Sequence, residues 1–211
     1  MDSRLRFVKM RYYSHTGIFV GDRNSGKTTM LSSIVARALA NGNTLFVFDS
    51  ATKHCDKSLL KKCEKNLPQY RKFSMFHFSK KELFRLETIV NSCSVDIFLF
   101  DVSEHLEKSH TIAELRKRTI ERSLYKRKVN EILKVLLRTQ PLGKKTIVFD
   151  EIEITDGIAK QLNAHLANAA IFWGALHPHR VSNAARKHFD LLIPPFTQHN
   201  IELTNEVKNV Q

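Results

Sequence analysis

Gly21-Asp22-Arg23-Asn24-Ser25-Gly26-Lys27-Thr28 decides the fold class of this chain. The stretch matches GxxxxGK[ST] at every fixed position. An apolar run at 16–20 precedes it, and residues 28–40 follow with Met30, Ile34, Val35 and Ala38 on one helical face. A strand, a glycine-rich turn and a helix in that order make a phosphate-binding loop. Glycines allow backbone angles at which successive N–H groups point inward at one anion, and the helix N-terminus adds its positive end. Lys27 is then expected on the β- and γ-phosphates of a nucleotide, and the Thr28 hydroxyl on Mg²⁺. Residues Gly21 to Thr28, with Thr29 next along, form the expected ATP-binding set.

Outward from the loop, apolar runs alternate with helical patterns. Strands are expected at 16–20, 44–48, 72–78, 95–100, 146–149, 170–175 and 191–193. Helices are expected at 28–40, 56–66, 80–91, 104–138 (long or broken) and 158–166, with a helical turn at 182–188. Asn41-Gly42 stops the first helix, Pro68 the second, and Pro141 with Gly143 the long one. This alternation predicts an α/β domain with a mostly parallel sheet covered on both faces. At 211 residues, without repeats or a Gly/Ser/Pro-rich linker, one domain spanning 1–211 is expected. Phe73, Phe76 and Phe78 read as core residues.

Two strands end in aspartate and could supply the acid beside Mg²⁺: IFLFD at Asp101 and TIVFDE at Asp150-Glu151. An aspartate can hold the metal's water, but a separate base must orient the attacking water. Glu151 directly follows Asp150, whereas Asp101 has no adjacent glutamate. Asp150 is therefore assigned to Mg²⁺ and Glu151 to catalysis. Three strands between the loop and residues 146–149 suit the branch of phosphate-loop proteins with a catalytic glutamate. The absence of NKxD argues against a GTPase, and the Asp-Glu pair argues, less firmly, against a nucleotide kinase.

Composition bounds the remaining readings. Apolar residues make up 42% of the chain, as in a folded globular protein. No apolar run is long enough for a transmembrane segment, and residues 1–15 lack the continuous apolar stretch of a signal peptide, so a soluble intracellular protein is expected. Cys55, Cys63 and Cys93 show no CxxC spacing and read as reduced thiols, with a zinc site around His54, Cys55 and Cys63 the minor alternative. Lys and Arg number 34 against 21 acidic residues, a net +13 that attracts polyanions or simply solvates the surface. Residues 104–138 hold ten Lys or Arg against five Glu, densest at Arg116-Lys117-Arg118 and Lys126-Arg127-Lys128. As a helix they form either a stripe for DNA phosphates or a solvated face laced with intrahelical ion pairs.

Four stretches together resemble the FtsK–HerA superfamily of DNA-pumping ATPases, above all the small genome-packaging ATPases of tailless icosahedral viruses with double jelly-roll capsids. They are GDRNSGKT, FVFDS at Asp49, TIVFDE, and HPHRVSNAARKHFDLLI from His177. The resemblance implies a RecA-like P-loop NTPase fold, ATP and Mg²⁺ as ligands, and double-stranded DNA as the partner that is pumped. A cellular or plasmid-borne translocase or helicase motor, a nucleotide or small-molecule kinase, and an ATP-dependent protein switch are the rival readings. It further implies a homo-oligomeric ring, pentamer or hexamer, and capsid-vertex or membrane-associated virion proteins as companions. Host cytoplasm or the virion would be the location. In that register Arg186 matches the family's helix arginine and is the expected finger reaching a neighbouring site, with Arg180 as the other candidate. Pairing of Arg186 with Asp190, four residues on, is the structural alternative. One departure stands out. The family's sensor strand usually ends in a polar residue, often Gln or Arg, where this chain has Leu176, leaving His177 or His179 to substitute.

Overall fold

The strand before the phosphate loop, β1 (Gly17–Val20), lies inside a seven-stranded sheet in a computed structural model of the chain. The structure describes residues 16–22, 25–49, 71–74, 78–92, 97–101, 126–139, 144–167 and 171–192. Arg23, Asn24, Asp56 to Asn66, Phe76, the three cysteines, Arg116-Lys117-Arg118 and the rest of 102–125 lie outside the described residues, as do both chain ends. In chain order the elements are β1, α1 (Lys27–Ala40), β2 (Thr44–Asp49), β3 (Arg71–Ser74), α2 (Lys80–Asn91) and β4 (Ile97–Asp101). A helix α3 over 126–138 comes next. It is followed by β5 (Lys145–Asp150), α4 (Asp156–Ala167), β6 (Ile171–Leu176), α5 (Asn183–His188) and β7 (Asp190–Leu192).

Every strand pair is parallel, in the order β3-β4-β2-β5-β6-β1-β7. The α/β class is as the sequence predicts, and the fold is consistent with a RecA-like one. What the linear pattern does not contain is the neighbour of β1. Three strands separate the loop from β5 along the chain, yet in space β6, which comes later, lies between β1 and β5. All C-terminal strand ends share one edge, where open parallel sheets place their ligands.

Period-2 alternation gives each face its own core. Phe19, Leu45, Val47, Leu99, Val148, Trp173 and Ala175 point to the α1 side and meet Leu31, Ile34, Val35 and Ala38. Met30, expected inward, is half-buried, and Leu31 takes the fully buried place. The alternate residues Ile18, Phe46, Phe48, Phe100, Ile147, Phe149 and Phe172 face the opposite core with residues of α2 to α5. Phenylalanine rings run across this face strand by strand. Phe73 lies 5.5 Å from Phe100, Phe100 4.4 Å from Phe48, Phe48 4.9 Å from Phe149, and Phe149 5.4 Å from Phe172, between centroids. Offset and edge contacts at such spacing add to the area each ring buries. The ladder fixes strand order from β3 to β6, and with it the alignment of the strand ends.

Helix ends follow local chemistry. Gly42 takes φ of 69° after α1, a left-handed angle that suits glycine, and its N–H reaches Leu39 O at 2.9 Å. Ser79 caps α2 by accepting the Glu82 N–H, and Ser182 caps α5 by accepting the Ala185 N–H. Lys145, buried at the start of β5, donates to Leu136 O in the last turn of α3, placing a cation where helix carbonyls lack partners. His165 of α4 lies 2.6 Å from Leu133 O, and burial pushes its imidazole down to about 4.

Candidate active site

The loop is anchored at both ends. Gly21 N–H donates to Leu176 O at 3.2 Å, tying it to the end of β6, and Ser25 N–H closes on Asp22 O at 3.3 Å. Gly26 takes φ of 89° at the N-cap of α1, with no side-chain cap and no acidic residue in the first turn. That turn therefore presents backbone N–H groups and positive dipole without a built-in anion, which is what a phosphate needs.

Lys27 opens α1 and is 6% exposed. Its ammonium donates to Gly21 O at 2.7 Å and Asp22 O at 2.8 Å, and lies 3.3 Å from Glu151 Oε1. Three donors thus meet three acceptors from the loop and the end of β5. One residue on, Thr28 Oγ1 donates to Asp150 Oδ1 at 3.4 Å. The two motifs that lie far apart in sequence are in contact through two adjacent residue pairs, Lys27 with Glu151 and Thr28 with Asp150. Thr29 is exposed on α1.

Asp150 is 3% exposed, and parallel register sets it opposite Asp49, which is 0% exposed. Its carboxyl is pushed up to about 7, first by burial and then by the neighbouring Asp49 carboxylate, while the Thr28 hydrogen bond and Lys27 pull it down. Asp101 ends β4, opposite Asp49 on the far side from β5, so two strand spacings separate its backbone from Asp150. Among the described residues, β5 reaches the loop through Asp150 and Thr28. Asp49 was legible only as a strand-end acid. Its place beside Asp150 follows from register between two strands whose paired residues are 101 apart in the chain.

Glu151 turns the chain sharply. Its N–H still extends the ladder to Ala175 O at 2.9 Å, but φ is 55°, the positive-φ non-glycine residue among those described. Such an angle is unfavourable for a residue with a Cβ. It aims the side chain toward the loop, where Oε1 meets Lys27 and Oε2 lies 3.6 Å from Arg180 Nη1.

The chain after β6 also returns to the loop. His177 directly follows Leu176, and its Nε2 lies 2.9 Å from Asp22 Oδ1. The ring of His179 packs against that of His177 at a 45° tilt, with centroids 4.3 Å apart. Of the two histidines that could replace a polar sensor residue, His177 touches the phosphate loop among the described residues. A 3₁₀ turn, Pro178–Arg180, carries Arg180 back over Glu151. No family model matches the chain, and no curated protein matches it in sequence.

Arg186 stands on α5, half-buried, and no hydrogen bond or ion pair joins its side chain to this site among the described residues. The alternative of an i,i+4 helix pair with Asp190 does not hold. The helix ends at His188, Asp190 opens β7, and no ion pair joins the two among the described residues. In the basic run at the start of α3, Lys126 pairs with Glu153 at 2.8 Å and Arg127 with Glu131 at 3.9 Å. These two cations belong to ion pairs rather than to an unpaired stripe. A cavity of about 310 Å³ lined by Arg37, Asn41, Lys144 and Trp173 opens at the opposite, N-terminal edge of the sheet, away from this site. No helix among the described residues is long and apolar enough to cross a membrane.

Proposed function

We propose that this chain hydrolyses Mg·ATP and uses the energy to translocate double-stranded DNA, packaging a viral genome into a preformed capsid. The observation that carries the chemistry is the convergence of Lys27, Thr28, Asp150 and Glu151 at the start of α1. Lys27 would exchange the carbonyls of Gly21 and Asp22 for β- and γ-phosphate oxygens, while loop N–H groups hold the rest of the triphosphate. Thr28 and Asp150 are the residues that would hold Mg²⁺. The donor set fits a hard divalent cation: a hydroxyl and a carboxylate 3.4 Å apart, with a second buried carboxylate, Asp49, alongside. That cation supplies charge neutralisation on the phosphates.

Glu151 is the general base. It takes a proton from the water whose oxygen bonds to the γ-phosphorus as the bond from that phosphorus to the ADP oxygen breaks, leaving ADP, phosphate and a proton. A carboxylate beside the loop lysine favours water as the acceptor over a second substrate. The DNA half of the proposal rests on the four-stretch resemblance and the net charge of +13. ATP turnover of the purified chain with and without duplex DNA tests both halves. Turnover stimulated by duplex supports the proposal. Turnover indifferent to DNA removes translocation, and absence of nucleotide binding removes the whole.

A further inference from the structure

We infer that Arg180 is a positioning residue for Glu151 acting within its own subunit, rather than a finger reaching a neighbour's nucleotide. The inference rests on the reading of Glu151 as the base and adds a residue to it. One guanidinium nitrogen, Arg180 Nη1, lies 3.6 Å from Glu151 Oε2 and 3.4 Å from the Glu151 carbonyl oxygen. It therefore holds the residue at both its side chain and its backbone. Arg180 is itself fixed from β6: its N–H donates to His177 O at 2.9 Å, and β6 pairs with β5 up to Ala175 opposite Asp150. The clamp and the clamped residue are thus carried on two hydrogen-bonded strands.

The two carboxylate oxygens have different partners, and those partners have different fates. Oε1 faces Lys27, whose ammonium is required by the phosphates once ATP enters. That contact must loosen on binding. Oε2 faces Arg180, which is anchored through its own N–H to His177 O, so this second hold on Glu151 does not depend on Lys27. The left-handed backbone at Glu151, φ 55°, makes such a hold useful. A strained residue relaxes unless its surroundings over-determine it, and strain of this kind clusters where a side chain must be aimed. Without the guanidinium, Glu151 keeps its chemistry but loses its aim.

A purely structural ion pair makes a different forecast. Arg180 is 43% and Glu151 33% exposed at the side chain, and exposed pairs contribute little to folding. Arg180→Ala should therefore fold normally, bind Mg·ATP with KM within about threefold of wild type, and lose kcat by up to about 100-fold, the scale of a misplaced catalytic group. Arg180→Lys should recover part of the loss, since one cation can still reach Oε2. On a Glu151→Gln background, Arg180→Ala should remove almost nothing further, because the two act as a unit. Action within one subunit is read by mixing Arg180→Ala with Lys27→Ala protomers. No chain in the mixture holds both residues, so activity should stay down.

Recovery on mixing would overturn the inference and make Arg180 a residue acting in trans. Unchanged kcat in Arg180→Ala, equal losses of binding and turnover, or additive losses with Glu151→Gln would overturn it too, while leaving the active wild type and the reading of its site intact. A wild-type chain that binds no nucleotide would remove that reading, and this inference with it.

Discussion

Replacing Asp150 with asparagine should stabilise the nucleotide-free protein, increasingly as pH rises from about 4 to 7. The carboxyl is pushed up to about 7 from an ordinary 3.8, by burial and by Asp49 opposite. A raised value means the folded chain binds more protons than the unfolded one between those limits. The contribution of Asp150 to stability is therefore full below about pH 4 and is lost as pH rises through 7. At 1.36 kcal/mol for each pH decade, the full loss is about 4 kcal/mol. Asparagine carries no charge, can still accept from Thr28, and can donate to Asp49. We expect Asp150→Asn to gain on the order of 2–4 kcal/mol at pH 8 and only about 1 kcal/mol at pH 4.5. His165 works in the opposite sense. Its imidazole is pushed down to about 4, so its contribution is present above the ordinary 6.5 and fades as pH falls toward 4. Both proteins carry His165, so it cancels in the difference. Urea unfolding at the two pH values, without nucleotide, reads the effect. Mg·ATP should then reverse the order, since ligand binding to the folded state stabilises the wild type and much less the variant. A variant less stable than wild type at pH 8, or an equal gain at both pH values, would refute the account of Asp150 as a buried, like-charge-strained carboxylate.

Lys27→Ala should lose most ATP binding, whereas Glu151→Gln should bind ATP and turn it over about 10²–10⁴-fold more slowly, as read by equilibrium binding and single-turnover kinetics. A normal rate in Glu151→Gln would remove it as the base. Duplex binding should weaken steeply with salt, and neutralising Arg116, Lys117 and Arg118 together should flatten the slope of log affinity against log salt by up to roughly three. An unchanged slope takes that run off the DNA path. Arg186→Ala mixed with Lys27→Ala should regain ATPase activity if Arg186 completes a neighbour's site, because some interfaces then hold both residues. A mixture of folded, co-assembling variants that stays inactive removes Arg186 as a finger.

The loop, its strand and its helix were legible in the sequence because their chemistry is local. The glycines, Lys27 and Thr28 sit within eight residues, and the flanking periods of two and 3.6 are visible in any window. The same holds for the strands 44–48, 95–100 and 146–149, whose apolar runs stop at an aspartate. The choice of Asp150 over Asp101 rested on an adjacent glutamate; in the fold Asp150 lies against Thr28. Strand order was not legible. Nothing in the chain says that β6, after β5, slips between β5 and β1, yet that insertion sets His177 against Asp22 and Arg180 over Glu151. The pairing of Asp49 with Asp150 likewise depends on register, which a ladder of Phe48, Phe100 and Phe149 helps fix across the sheet. Arg180 was read as one of two arginines that could act on another subunit. Its contact with its own Glu151 needed the 3₁₀ turn, a three-residue element with no periodic signature.

The central claim is that Lys27, Thr28, Asp150 and Glu151 form one Mg·ATP-hydrolysing site. Steady-state phosphate release by the purified full chain, with Mg²⁺ and ATP and with duplex DNA added or withheld, tests it most directly. Mg²⁺-dependent release should rise with duplex, be lost in Lys27→Ala and fall about 10²–10⁴-fold in Glu151→Gln. Release at the wild-type rate in either variant, or a wild-type chain that neither binds nor cleaves ATP, would contradict it.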